Sequence, residues 1–396
     1  MERSPAFVSS KKQVTAPQHG ILSALLFLAV FLGIFVIFVI PMGLSNALNT
    51  MMNTAYQLLV DTALYIMAIA VLAGAISALF SEFGVIDLLN RLLSPLMVPL
   101  FNMPGVAALG VVTTYLSDNP AILTLASDKN YSRYFKPYQI PALTNLGTSF
   151  GMGLVVTSFV LGLGASAGPG IGLAALCGNM GAVVGSILST RLMLFFTSRA
   201  MGRDSQPAVS QARAHTEEHQ QKTSSGAVRV MDALMRGGKQ GVDLGLGIIP
   251  GVLVICTLVM MLTNGTADSG IYTGAAFEGV PLLPAIAEKL TFILKPLFGF
   301  SSAEAVSVPI TALGSAGAAL SIIPSLVQRG LASCNDIAVF TAMCMCWSGY
   351  LSTHLSMMDV LGCTKLTGKA ILAHTLGGLL AGISAHWFYT LVTLLF

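Results

Sequence analysis

Two clusters of hydroxyl and amide side chains interrupt an otherwise apolar chain: Thr144, Asn145, Thr148 and Ser149, then Ser348, Ser352, Thr353 and His354. Residues four apart share a helix face. Thr144 with Thr148, and Ser348 with Ser352, therefore form polar stripes able to hydrogen-bond an uncharged polar solute. Such residues also glue membrane helices together, so packing is the alternative reading of either stripe alone. Recurrence of the stripes, with glycine beside them, brings the pathway reading level with packing. A further candidate is Leu116-Ser117-Asp118-Asn119-Pro120. Proline removes an amide donor and clashes with the preceding turn, breaking or kinking a helix. The break places Asp118 and Asn119 amid Val111, Val112, Leu116, Ile122 and Leu123. A carboxylate in such a run is expensive unless it faces water, a cation or a partner. Asp118 and Asn119 then read as substrate or coupling-ion ligands at an unwound turn, or as a cap near the cytoplasmic edge, because Asp128 and Lys129 follow closely. Asp61 and Asp243 each read as an N-terminal cap, with H+ or Na+ coupling as the sharper option.

Other chemistry is absent from the pattern. The cysteines Cys177, Cys256, Cys334, Cys344, Cys346 and Cys363 form no CxxC pair, which argues for small, reduced, buried side chains. Cys344 and Cys346 are two apart and face different ways on a helix. Together with Cys363, His354 and His374 they give no recognised metal-ligand spacing. No P-loop, GxGxxG, HExxH or GxSxG is present. The expectation is a non-enzyme with no cofactor and no resident metal. Glu304, Asp359 and Asn179 read as edge or packing residues.

The elements that must position these side chains follow from composition. The 396 residues are 54% hydrophobic and only 9% charged, with a mean hydropathy of +0.78. A soluble domain carries roughly 25% charged residues, so the chain needs a lipid bilayer as partner, and a soluble enzyme or disordered protein is excluded. A net charge of +3 is too small for a nucleic-acid footprint. Apolar runs near 21–43, 55–80, 84–102, 105–127, 139–163, 170–196, 240–263, 282–300, 304–327, 335–361 and 370–395 predict an all-α bundle of about eleven spans. The first run is too long for a signal sequence and reads as a retained helix behind a cytoplasmic tail. Arg199, Arg203, Arg213, Lys222, Arg229, Arg236 and Lys239 make 199–239 a basic cytoplasmic linker. Tail and linker lie on one side only if an even number of crossings separates them, so 84–102, the weakest span, is counted as a crossing. Lys129, Arg133, Lys136, Lys365 and Lys369 then fall inside, and 264–281 and the C-terminus outside.

The two halves match in order. Val60–Ile66 matches Val242–Ile248, and Leu93–Leu96 matches Leu294–Leu297. Leu116–Pro120 matches Leu320–Pro324, and Thr144–Ser149 matches Ser348–Thr353. With an odd number of crossings per copy, the second copy inserts upside down, the inverted-repeat arrangement many secondary transporters use. The divisions are 1–54 (tail and first helix), 55–198 (first gate-like repeat), 199–239 (linker) and 240–396 (second gate-like repeat).

These elements resemble the gate domain of the nucleoside recognition family, which includes the spore maturation proteins A and B, the concentrative nucleoside transporters and the membrane part of the bacterial ferrous-iron transporter. The resemblance rests on the Val-Asp-x-x-Leu-x-Ile helix (Asp61, Asp243) and on the apolar helix with a polar break (Leu116–Pro120, Leu320–Pro324). It covers about 55–165 and 240–360, as two fused gate units. It implies secondary transport of a small polar solute, a nucleoside among them, with H+ or Na+ as coupling ion, in a bacterial inner membrane. Thr144, Asn145, Thr148, Ser149, Ser348, Ser352, Thr353, His354, Asp118 and Asn119 are then the expected substrate contacts, and Asp61, Asp118 and Asp243 the expected ion ligands. A homo-oligomer is an allowed assembly. The rival readings are a non-transporting scaffold or assembly factor and a cation or metal permease.

Overall fold

The protein is described from a computed structural model, which covers residues 21–164, 168–203, 226–266 and 270–395. The basic tail before Ile21 and the middle of the 199–239 linker lie outside the described residues. Every element among the described residues is helical. Six stretches are long and apolar enough to cross a membrane: α1 (Ile21–Met42), α2 (Leu44–Glu82), the broken stretch Pro137–Gly162, α8 (Ile171–Met201), α9 (Gly226–Thr263) and a last one containing α16 (Thr367–Leu395). The chain is therefore a multi-pass helical membrane protein. Between these run α3 (Val85–Leu96), α4 (Ala107–Leu116), α5 (Pro120–Ser127), α6 (Ala142–Thr148) and α7 (Gly153–Gly162). In the second half run α10 (Leu282–Lys289), α11 (Thr291–Phe298), α12 (Ser307–Ala312), α13 (Ala316–Gln328), α14 (Cys334–Trp347) and α15 (Tyr350–Val360).

Glycine decides which long helices pair. Without a hydrophobic driving force in lipid, helices associate through close backbone approach, which small residues permit. On α2 and α9, Gly74 meets Gly237, Val71 meets Gly241 and Met67 meets Gly245, so the two run antiparallel. Glu82 at the end of α2 pairs with Arg229 at 2.9 Å and Arg236 at 3.2 Å near the start of α9. At the other end, the Asn53 amide donates to the Gly274 carbonyl at 2.9 Å, in the loop after α9. On α8 and α16, Gly181 meets Ala385 and Gly185 meets Gly377, again antiparallel. Each half thus begins and ends with a long helix running opposite to its counterpart, which is the inverted arrangement.

Not every apolar run crosses. α3 starts beside Glu82, and the chain just beyond it returns to the same face: Arg191 of α8 donates to the Leu100 carbonyl at 2.6 Å and to Pro99, and Gln139 to the Asn102 carbonyl at 3.1 Å. α5 then folds back along α4, with Ile122 packed on Gly110 and Gly147. In the second half Gly314 sits by Ile255, Gly317 by Ile248, and the Ser321 hydroxyl 3.0 Å from Cys256 Sγ. Arg329 then reaches Asn264 at 2.8 Å, so α13 climbs α9 back to the face where the hairpin began. α10 and α11 begin with Val280 bonded to Met261 and end with Phe298 and Gly299 bonded to Asn335 on that same far face. The runs expected as spans near 84–102, 105–127, 282–300 and 304–327 therefore return to the face they leave. Two such runs lie in each half, so the parity inferred from the charges survives although 84–102 is not itself a crossing.

Candidate functional site

Two re-entrant hairpins and two broken helices converge in the middle of the bundle. The first tip, Ser117–Asn119, carries an amide across to the other half: Asn119 Nδ2 donates to the Ser348 carbonyl at 2.8 Å and its hydroxyl at 3.2 Å. Ser348 and Gly349 form the gap between α14 and α15, where Gly349 takes φ +70°, a conformation open to glycine at no steric cost. The second hairpin reaches the same gap, since Gly349 N–H donates to the Ala312 carbonyl at 3.0 Å. The gap between α6 and α7 closes the group, because Gly151 sits so near that a Cβ there would lie 1.8 Å from Asn119 Oδ1. Asn119 Oδ1 itself is buried and has no partner. A buried amide oxygen without a donor is costly, and it is what a ligand or ordered water would satisfy. Asp118, half-buried, accepts the Asn119 N–H at 2.7 Å.

The other expected site residues spread over several environments. Thr144 Oγ1 donates to the Pro141 carbonyl at 2.7 Å, Asn145 Nδ2 to Ser189 Oγ and the Ala370 carbonyl at 3.0 Å each, and Ser149 Oγ to the Asn145 carbonyl at 2.8 Å. Thr148 Oγ1 is buried with no partner. This stripe is sealed between helices. Ser352 and Thr353 bond the Gly349 carbonyl at 3.2 and 3.1 Å, which holds the start of α15 to the break. His354 Nδ1 lies 3.1 Å from the Tyr350 carbonyl, and its ring centre is 4.6 Å from that of His374. His374 in turn spans Ser189 at 2.9 Å and the Cys346 carbonyl at 2.5 Å. Among the described residues no three His, Cys, Asp or Glu side chains gather as a metal would require.

Asp61 and Asp243 lie inside α2 and α9 rather than at their starts, so neither caps a helix. The two differ in setting. Asp61 falls in a π-helical turn, Leu58–Ala63, and lines a cavity of about 790 Å³ together with Asn264, Ser321, Ser325, Gln328 and Arg329. Asp243 is exposed on α9 outside that cavity. Ser321 stands out in the sequence only as part of the Leu320–Pro324 match, and Ser325 and Gln328 escaped the sequence reading, although the spacing of the three, four and three residues on α13, marks one helix face.

No protein-family model matches the chain. An uncharacterized protein of Alkalihalophilus pseudofirmus is 25% identical over 218 residues, which is 53% of this chain and 46% of that protein. The chain thus spans about half the length of the curated relative it matches. Among solved structures, it resembles the concentrative nucleoside transporter CNTnw. An inward-facing substrate-bound state gives a TM-score of 0.54 at 16% identity over 83% of this chain and 76% of that one. An outward-facing variant gives 0.52 at 16% identity over 83% and 75%, and an intermediate state 0.54 over 82% and 76%. At this identity the likeness is one of fold. It agrees with the nucleoside-transporter part of the expected resemblance.

Proposed function

We propose that the chain is a secondary transporter of a small polar solute, working by alternating access between two inverted repeats at 55–198 and 240–396. The observation that carries this reading is the convergence of the Ser117–Asn119 tip, the Ala312–Ser315 turn and the breaks at Gly151 and Ser348–Gly349. Helices that stop halfway through a membrane leave backbone groups free to bind a solute, an arrangement tolerated only in protein-lined surroundings. The unpartnered Asn119 Oδ1 supplies an acceptor and Asp118 a charge at that point. A nucleoside, rich in hydroxyl and amide groups, suits such a site, and the fold shared with CNTnw supports it. H+ or Na+ is the coupling ion, with Asp118 and the cavity-lining Asp61 as its ligands. The linker face, which carries Arg133, Arg191, Arg199, Arg229, Arg236 and Lys369, is cytoplasmic by the positive-inside rule, in a bacterial inner membrane.

The deciding experiment is uptake into proteoliposomes of nucleosides, amino acids and metal ions, each under a sodium or a proton gradient. Nucleoside uptake dependent on one gradient is the expected result. The sealed Thr144–Ser149 stripe favours a second reading, a membrane scaffold whose polar stripes only join helices. Absence of uptake for every solute class under both gradients, from protein that remains folded, would establish that alternative.

A further inference from the structure

We propose that the linker-face end of α8, with the turn following α3, binds the phosphate headgroup of an anionic phospholipid. On α8 the residues Arg191, Phe195 and Arg199 recur every four positions and so share one face, which is exposed. Arg203 follows just beyond the Gly202 turn. The Arg199 guanidinium lies 4.0 Å from the Phe195 ring centre. Arg191 is held in place by the Leu100 and Pro99 carbonyls. Beside these side chains is a cavity of about 320 Å³, lined by the polar Asn102, Ser198, Arg191 and Arg203 and by the apolar Val98 and Phe195.

The depth of this cavity in the bilayer is set by α3. Leu88 and Leu92 are 65% and 68% exposed and Leu96 45%, an apolar stripe of four-residue spacing on a helix both of whose ends belong to one face. Such a helix lies in the plane of the membrane interface. The cavity at its end is therefore at headgroup level. Basic pockets between helices on this side of a membrane suit anionic headgroups. Among the described residues, the carboxylate that pairs with arginine is Glu82, and it serves Arg229 and Arg236. Arg199 and Arg203 are both exposed at this end of α8. A phosphodiester there would meet Arg203 on the cavity lining and the charge of Arg199 beside it on α8, while its acyl chains continue along Phe195 and Val98. A zwitterionic headgroup brings its own ammonium against the same arginines, and free phosphate leaves the apolar wall uncovered. This site would exist whether or not the chain transports.

The test uses the full chain in neutral detergent, titrated with phosphatidylglycerol, phosphatidylcholine or inorganic phosphate, reading bound lipid by native mass spectrometry and the thermal midpoint in parallel. Phosphatidylglycerol should bind at least tenfold more tightly than phosphatidylcholine and raise the midpoint. Each exposed cation near anionic lipid contributes roughly fivefold in affinity. The double variant Arg199→Gln with Arg203→Gln should therefore lose about 25-fold for phosphatidylglycerol while keeping its helicity. Arg199→Lys with Arg203→Lys should stay within about threefold, because the headgroup term is mainly charge. Equal binding of the two lipids, an unchanged glutamine double variant, or a midpoint shift reproduced by inorganic phosphate alone would each overturn the assignment.

Discussion

Asn119 is the side chain on which the central geometry turns, and replacing it gives the sharpest test. Its Nδ2 bridges the first hairpin to the Ser348 carbonyl at 2.8 Å and hydroxyl at 3.2 Å in the other half of the chain. Ser348 is only 7% exposed, so Asn119→Ala leaves a buried carbonyl without that donor. An unsatisfied buried acceptor costs about 1–3 kcal/mol. If that energy holds the tip against the break, the docked arrangement loses about 5- to 150-fold in population relative to the undocked one. Initial uptake in proteoliposomes should fall by a factor in that range. The thermal midpoint in detergent should fall as well, and that readout holds even if no solute is carried. Asn119→Asp keeps the shape but turns a donor towards a carbonyl into a second acceptor. It should be at least as damaging as alanine, because two oxygens then face each other in a water-poor setting. An Asn119→Asp variant with normal midpoint and normal uptake would falsify the clamp.

The remaining predictions address separate parts of the structure. A Cβ on Gly237 would lie 2.1 Å from the Gly74 carbonyl oxygen, so Gly237→Ala should force α2 and α9 apart and destabilise by about 1–3 kcal/mol, whereas Gly33→Ala, with open space around it, should shift the midpoint little in detergent unfolding. Asp118→Asn should abolish the dependence of an identified uptake activity on its driving ion, and Asp61→Asn should raise the half-saturating ion concentration several-fold; an unchanged ion dependence in Asp118→Asn removes that residue from coupling. In a cysteine-free background, Phe83→Cys and Asn102→Cys should react with an impermeant thiol reagent from one side of the membrane, and Glu304→Cys and Arg329→Cys from the other; opposite sidedness within either pair would mean that the single intervening run does cross. For Glu278, burial alone would raise the carboxyl, but the Thr273 hydroxyl and the N–H groups of Thr273 and Gly274 outweigh it and hold it below the ordinary glutamate value. A carboxyl lowered by folding stabilises above its unfolded value, and that contribution is lost as pH falls through the folded value. Hydrogen exchange in 271–280 should therefore rise on acidification below the usual glutamate range, and Glu278→Gln should flatten that rise.

The sequence carried the long helices well and the short ones poorly, for a definite reason. Val60–Ile66 and Val242–Ile248 do lie on an antiparallel pair, and Leu93–Leu96 and Leu294–Leu297 both occupy the face-bound elements that precede a hairpin. Apolar length alone cannot distinguish a membrane crossing from two half-length helices that fold back, so 105–127 and 304–327 read as spans. The Leu116–Pro120 and Leu320–Pro324 match fails for the same reason. The first is a hairpin tip, whereas Pro324 sits inside α13, and the counterpart of the first tip is Leu313–Ser315. Thr144–Ser149 lies before its break and Ser348–Thr353 mostly after its own, so their shared hydroxyls come from composition rather than from equivalent places. Nor could spacing show that Asn119 meets Ser348, a contact between residues 229 positions apart.

The positions of these contacts suggest how such a chain divides its labour. The pairs α2 with α9 and α8 with α16 are joined by backbone approaches at Gly74, Gly237, Gly181, Gly185 and Gly377, which tolerate little sliding because packed interfaces are discrete rather than continuously deformable. The hairpin arms are also packed, Ile122 on Gly147 and Gly317 on Ile248, but their tips are tied to the centre by a few hydrogen bonds, and both sets of ties land on the Ser348–Gly349 break. The break at Gly151 receives no such donor from Asn119, only its unpartnered oxygen. A few bonds of about 1 kcal/mol each can be exchanged within the energy that binding a polar solute provides, whereas separating a glycine-packed helix pair cannot. Movement should therefore begin at the hairpin tips and the half-helices they touch, with the long helices as a fixed frame. The cavity beside Asp61 lies where two frame helices, α2 and α9, meet the end of α7, the loop after α9 and the returning arm α13 of a hairpin. Any movement of that arm would change its volume, and the charge of Asp61 is placed where the change would be felt.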